Sequence, residues 1–265
     1  MSGATLTADA GVADEQRAAL FDYLLRLGDD ALILSQQLSE WCGHAPVLEV
    51  DLSLANIALD LLGQSTLLLD AAAKIEGGTR DADALAFHRD VLAFRNCLMV
   101  EQPNGDFAQT ITRQFLYSAF QAPYFAQLTA STYTPLAEIA AKALKEVTYH
   151  ADLAAEWVIR LGDGTYESRQ RMLDGLDWHW RFVDELFEMD AIESGLAAAG
   201  IAPDRAALRA EFDAKVAQVL SDATLPAPEY PRATRGGRVG HHSEHLGHLL
   251  AVMQFLPRTY PDAEW

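Results

Sequence analysis

The chain has 265 residues, 50% of them hydrophobic and 22% charged, the make-up of an ordinary globular protein. Twenty Lys and Arg against 38 Asp and Glu give a net charge of −18, which argues against nucleic acid or an anionic membrane surface as a partner. Cys42 and Cys97 form neither a metal-ligand spacing nor a disulfide framework, and two isolated thiols fit the reducing cytoplasm.

Residues 1–15 hold no basic residue and no apolar run, so they lack the parts of a signal peptide. Residues 1–18 are expected to form a flexible tail ahead of a single domain over residues 19–265. From Leu20 to Cys42, the residues Leu20, Tyr23, Leu24, Leu27, Ala31, Leu34 and Leu38 recur at three- and four-residue steps, the period of a half-buried helix that Gly43 stops. Asp51 is expected to cap a second helix running to about Ile75, apolar around most of its circumference and therefore central. Asp60 and Asp70 interrupt it, so no membrane span is expected.

Ala82 to Met99 reads as a third helical stretch. Gln102-Pro103-Asn104-Gly105-Asp106 is turn chemistry ending in a helix cap, and a helix to about Leu128 follows. Thr134-Pro135 supplies a cap and a first-turn proline for a helix running through Lys145 and His150 to Arg160 and ending at Gly162-Asp163-Gly164. Further helical patterns cover Arg169 to Gly195, Asp204 to Leu220 and Ser243 to Phe255, with Ser243 as a cap. Thr224 to Gly240, rich in Pro and Gly, is a long irregular loop of the kind that carries function. No alternating β pattern of useful length appears. The predicted fold is all-α: a four-helix bundle of ferritin-like type with additional packed helices.

Di-iron members of that class hold their metals with a Glu from each of two helices and a Glu-x-x-His from each of the other two. None of the 38 acidic residues here has a His three positions later. The nearest approach is Glu146 with Tyr149 and His150, where the histidine stands at i+4. On the second helix, Asn56, Asp60 and Gln64 form a polar stripe at i, i+4 and i+8 with no imidazole. Asn56, Asp60, Gln64, Glu146 and His150 thus read either as a degenerate metal site or, preferably, as a hydrogen-bond network in the bundle core, with Glu40 and Arg113 as candidate partners. No metal is expected in this chain.

His241-His242-Ser243-Glu244-His245 matches the H-x-x-E-H pattern of inverted zinc peptidases. It becomes zinc chemistry only on a helix that turns both imidazoles into a cleft; exposed imidazoles around a Ser243 cap explain it equally well. Arg232, Arg235 and Arg238 make a basic patch on the long loop, either solvated or set for an acidic partner or anionic ligand. Arg89, Arg95 and Asn96 raise the same question for a phosphate.

Several longer blocks resemble one family, the structural C-type components of bacterial phenylacetyl-CoA epoxidases, also called phenylacetate-CoA oxygenases. They include Arg26-Leu27-Gly28-Asp29, Glu40-Trp41-Cys42-Gly43-His44-Ala45-Pro46, Leu54-Ala55-Asn56-Ile57, Leu59-Asp60-Leu61-Leu62-Gly63-Gln64, Glu101-Gln102-Pro103-Asn104-Gly105, Arg235-Gly236-Gly237 and Glu244-His245-Leu246-Gly247. The resemblance covers about residue 20 to the end. It implies a ferritin-like bundle without catalytic residues, paired with a homologous catalytic subunit inside a larger hetero-oligomer that includes other subunits and a reductase. That partner is implied to carry the di-iron centre and to epoxidise the ring of phenylacetyl-CoA. Arg95 and Asn96 are then expected to border a CoA channel, and the Arg232, Arg235 and Arg238 loop to touch partner or CoA. A stand-alone di-iron oxygenase and a zinc hydrolase are the competing readings.

Overall fold

The computed structural model describes residues 14–229, 232–261 and 263. Its frame is four long helices: α1 (Asp14–Glu40), α2 (Leu48–Glu76), α4 (Phe107–Leu128) and α5 (Thr134–Gly162). Among the described residues there is no strand. α1 lies along α2, α4 lies along α5, and α2 meets α5, which closes the ferritin-like bundle. The short connections force antiparallel neighbours. Residues 14–18, expected in the tail, belong to α1; residues 1–13 and Trp265 lie outside the described residues.

All seven apolar positions read from α1 are buried. Two serines lock α1 to α2: Ser35 Oγ donates to the Ala58 carbonyl at 2.8 Å and Ser65 Oγ to the Gly28 carbonyl at 2.9 Å. Gly28 has a packing reason, because a Cβ there would stand 2.7 Å from Leu69 Cδ2. α2 buries Leu54, Ile57, Leu61, Leu68 and Leu69 but leaves Leu48, Leu52, Leu59 and Leu62 outside. It alone among the described helices has the length and hydropathy of a membrane span, and 44% of that apolar window is buried in the bundle. α4 is buried along most of its length, and small residues of α5, among them Ala140, Ala143, Ala151 and Ala154, let the two helices approach.

Around this frame pack α3 (Ala82–Phe87) on α2, α6 (Tyr166–Trp180) on α4 and α5, α7 (Ala191–Ala198) on α1, and α8 (Arg209–Asp222) on α4 and α5. α9 (Glu244–Met253) touches α1 and is followed by α10 (Phe255–Thr259). Asp106 caps α4 as expected, accepting from Gln109 N at 3.0 Å, and Pro135 sits in the first turn of α5.

Four local expectations are corrected. α2 begins at Leu48 rather than after Asp51, because the Asp51 carboxylate instead accepts from Gly43 N at 2.8 Å and Ala45 N at 3.3 Å, closing the turn before the helix. Thr134 is the first residue of α5, not its cap. The stretch Ala82 to Met99 is helical only to Phe87, with one 3-10 turn at Val91–Ala93. Beyond that turn its N–H groups go to buried carboxylates: Arg95 N to Asp29 (2.8 Å), Cys97 N to Asp30 (2.7 Å) and Leu98 N to Glu185 (2.7 Å). Likewise Arg169 to Gly195 is two helices, with the second capped by Asp190 through Glu193 N at 2.9 Å.

Candidate functional site

At the seam of α2 and α5 the polar stripe forms two bridges. His150 Nε2 lies 3.0 Å from Asp60 Oδ2, and Gln64 Nε2 donates to Glu146 Oε2 at 2.9 Å. Burial lowers the His150 pKa against the opposing pull of Asp60, so a neutral ring donates from Nε2 to the carboxylate. Gln64 and His150 are buried, Asp60 and Glu146 half-buried, and Asn56 is exposed, so Asn56 lies outside the network expected for it. Glu40 and Arg113 do not join this stripe. Arg113, fully buried on α4, donates to Asn104 Oδ1 at 2.6 Å and to the Gln102 carbonyl, and Asn104 in turn reaches Glu40 at 3.4 Å. Burial brings the Arg113 guanidinium down to about 9 while Glu40 opposes, and it remains a cation at neutral pH.

The donor chemistry at the seam does not fit two irons. A di-iron site of this fold takes about four carboxylates and two imidazoles. Here one imidazole and two carboxylates are present, one carboxylate is bonded to an amide and the other to the imidazole, and Gln64 stands where an anion would. The unpartnered atoms that remain, Gln64 Oε1 and His150 Nδ1, are both neutral. Among the described residues no group of three or more His, Cys, Asp or Glu is arranged to hold a metal.

A second polar cluster holds the long loop against the bundle. Arg238 makes a two-pronged ion pair with Asp30 at 3.0 and 2.7 Å and donates to the Arg95 carbonyl at 3.0 Å. Arg89 pairs with Asp29, and Nη1 of the same guanidinium reaches the Ala93 carbonyl at 3.1 Å. Glu185 accepts from Gly236 N (2.9 Å), Gly237 N (2.8 Å) and Leu98 N (2.7 Å); burial raises its pKa against these three donors. Gly237 is required here, since a Cβ would lie 2.1 Å from the Asn96 carbonyl oxygen.

The basic patch therefore divides. Arg232 and Arg235 are on the surface, with Arg235 paired to Glu188 at 2.6 Å, whereas Arg238 is turned inward and serves the fold. Asn96 is also interior: fully buried, it donates to Glu101 at 2.8 Å, and so is closed to a CoA channel. Arg95 is partly exposed, its guanidinium spent on the Leu92 and Phe94 carbonyls at 2.9 and 2.8 Å and 3.4 Å from Asp22. Arg89 is buried and paired, closed to a phosphate.

In the histidine cluster α9 starts only at Glu244, so His241 precedes the helix and the H-x-x-E-H segment lacks the continuous helix that zinc chemistry needs. Its structural member is His242, which the pattern does not count as a ligand. His242 Nδ1 lies 2.8 Å from Glu101 Oε2 and Nε2 lies 3.1 Å from the Phe94 carbonyl. Both neighbours are acceptors, so both nitrogens carry protons; burial works against this charge, but Glu101 raises the His242 pKa. Ser243 precedes α9 and is held through its backbone, its N–H donating to Glu101 Oε1 at 2.6 Å, and its hydroxyl makes no capping bond.

Asp30 and Glu185 are not singled out by the sequence, and Asp29, Glu101 and His242 stand there only inside longer motifs, without a role of their own. The available signal was Arg26-Leu27-Gly28-Asp29-Asp30, three charges in the middle of an apolar helix, which must be answered by opposite charge or donors if buried.

The helices and the paired polar residues at the seam of α2 and α5 define the class: an all-helical protein of ferritin-like bundle type. The chain belongs to the phenylacetic acid catabolic protein family, whose model matches residues 4–265. It is similar to the C component of the 1,2-phenylacetyl-CoA epoxidase of Escherichia coli (strain K12), with 49% identity over 243 residues, 92% of this chain and 98% of that protein.

Proposed function

We propose that this chain is a non-catalytic subunit of a phenylacetyl-CoA epoxidase in the cytoplasm, and that it pairs with and stabilises the homologous subunit that holds the di-iron centre. The relative's name supplies the complex; one observation in the structure supports the supporting role. The central helix α2 leaves Leu48, Leu52, Leu59 and Leu62 exposed at 68%, 55%, 65% and 40%. A row of outward leucines on the longest apolar helix costs solvation in a lone chain and is satisfied when a second bundle covers it. Stable interfaces bury about 800 Å² per partner, and this leucine row would form the apolar centre of one. The seam residues support the non-catalytic part, because Asp60, Gln64, Glu146 and His150 are bonded to each other in pairs. The other subunits and the reductase complete the assembly.

The test is metal retention. Untagged protein reconstituted anaerobically with ferrous iron should hold close to none after desalting. Two retained equivalents, lost on Asp60→Ala or Glu146→Ala, would contradict the proposal.

A further inference from the structure

Gly63 stands in the interior of α2, where glycine weakens a helix by about 1 kcal/mol relative to alanine. Several glycines have a reason within the chain: a Cβ on Gly28 would meet Leu69, one on Gly175 would lie 2.9 Å from Thr112 Oγ1, and one on Gly237 would meet the Asn96 carbonyl; Gly195 and Gly247 in α7 and α9 are open, but neither lies beside a row of exposed leucines. Around Gly63 nothing lies within 4 Å of where a Cβ would be. No contact among the described residues requires the missing side chain.

At about 100° per residue, Leu48, Leu52, Leu59, Leu62 and Gly63 share an arc of roughly 100° on α2. From Leu48 to Gly63 the face is about 16 residues long, roughly 24 Å. Asp60 lies one turn before Gly63 on its flank, a third exposed and 3.0 Å from His150 Nε2, so its carboxylate is open to a partner's donor. α2 has no basic residue before Lys74. A second copy of this chain, itself at −18, would oppose Asp60 with more acid.

We infer that Gly63 is the point of closest approach of one helix of the catalytic partner subunit, which crosses α2 over Leu59 and Leu62 and brings a Lys, Arg or other donor to Asp60. A hydrogen in place of a side chain lets a partner backbone come nearer than the 8–10 Å usual between packed helices, and Asp60 fixes the register beside it. This rests on the subunit reading above and adds the docking helix, its contact point and its charge.

The two readouts of Gly63→Ala have opposite signs. In the free full-length chain it should raise Tm by about 2 °C, because helix propensity improves and no atom is in the way. Affinity for the purified full-length catalytic subunit, measured by titration calorimetry, should nevertheless fall. Gly63→Leu should reduce that affinity roughly tenfold or more with the free chain still folded, and Asp60→Lys should reduce it more than Asp60→Asn. If the wild-type chain binds the catalytic subunit and Gly63→Leu binds equally well, the crossing point is wrong and the subunit reading stands. If the wild-type chain does not bind, both fall. A homodimer in sedimentation that Gly63→Leu dissociates would assign the face to a second copy and overturn the inference.

Discussion

Replacing Arg238 should unfold the protein far more readily than replacing its neighbours on the same loop. Arg238 has a side chain only 12% exposed, pairs through both Nη atoms with Asp30 at 2% exposure, and ties the Arg95 carbonyl to the loop. Removing one member of such a pair leaves Asp30 buried and uncompensated, a loss of about 3–5 kcal/mol. Arg235 faces Glu188 in the open and Arg232 is solvent-exposed; Gln at either should cost about 0–1 kcal/mol. Urea unfolding followed by far-UV circular dichroism should therefore move the midpoint strongly for Arg238→Gln and barely for Arg232→Gln with Arg235→Gln. Asp30→Asn keeps an acceptor for Cys97 N, so a cycle with Arg238→Gln isolates the ion pair. An Arg238→Gln midpoint within about 0.5 kcal/mol of wild type would refute the assignment of this residue to the fold, and would return all three arginines to the surface patch.

His179 gives a pH-dependent test. Burial, reinforced by the nearby Arg113 charge, lowers its pKa from 6.5 to about 3, and the neutral ring donates from Nδ1 to the Gly175 carbonyl at 2.9 Å. Above pH 6.5 neither state binds the proton; as pH falls below 6.5 the unfolded chain takes one that the folded chain refuses, removing about 2 kcal/mol by pH 5. His179→Gln should flatten the stability curve between pH 7 and 5 by that amount, and an unchanged slope would contradict the assignment. Gly237→Ala should destabilise by about 1–3 kcal/mol because its Cβ meets backbone rather than a movable side chain, whereas Gly247→Ala on α9, with open space around it, should not; equal effects in thermal melts would contradict the close approach.

The bundle was legible wherever its causes are local. The seven-residue apolar stripe of α1, the Asp106 cap and Pro135 are each determined by residues within a turn of one another, and the structure agrees with all three. The end of the third helix was not legible, because it is decided by Asp29, Asp30 and Glu185, all more than 60 positions from the N–H groups that they accept. The same distance hides the role of Arg238 and Asn96, which look like exposed polar residues until Asp30 and Glu101 stand opposite them. Pairing across the α2 and α5 seam was expected from Asp60, Gln64, Glu146 and His150 as residue types, while the exposure of Asn56 follows from the helix rotation that puts the leucine row outward.

The central claim is that this chain supports a catalyst and is not one. The direct measurement is turnover of phenylacetyl-CoA with reductase and NADPH by the catalytic subunit alone, by this chain alone, and by the two together. This chain alone should yield no product, and its addition should raise both the activity and the soluble yield of its partner. Product from this chain by itself, or a partner fully active and soluble without it, would contradict the account.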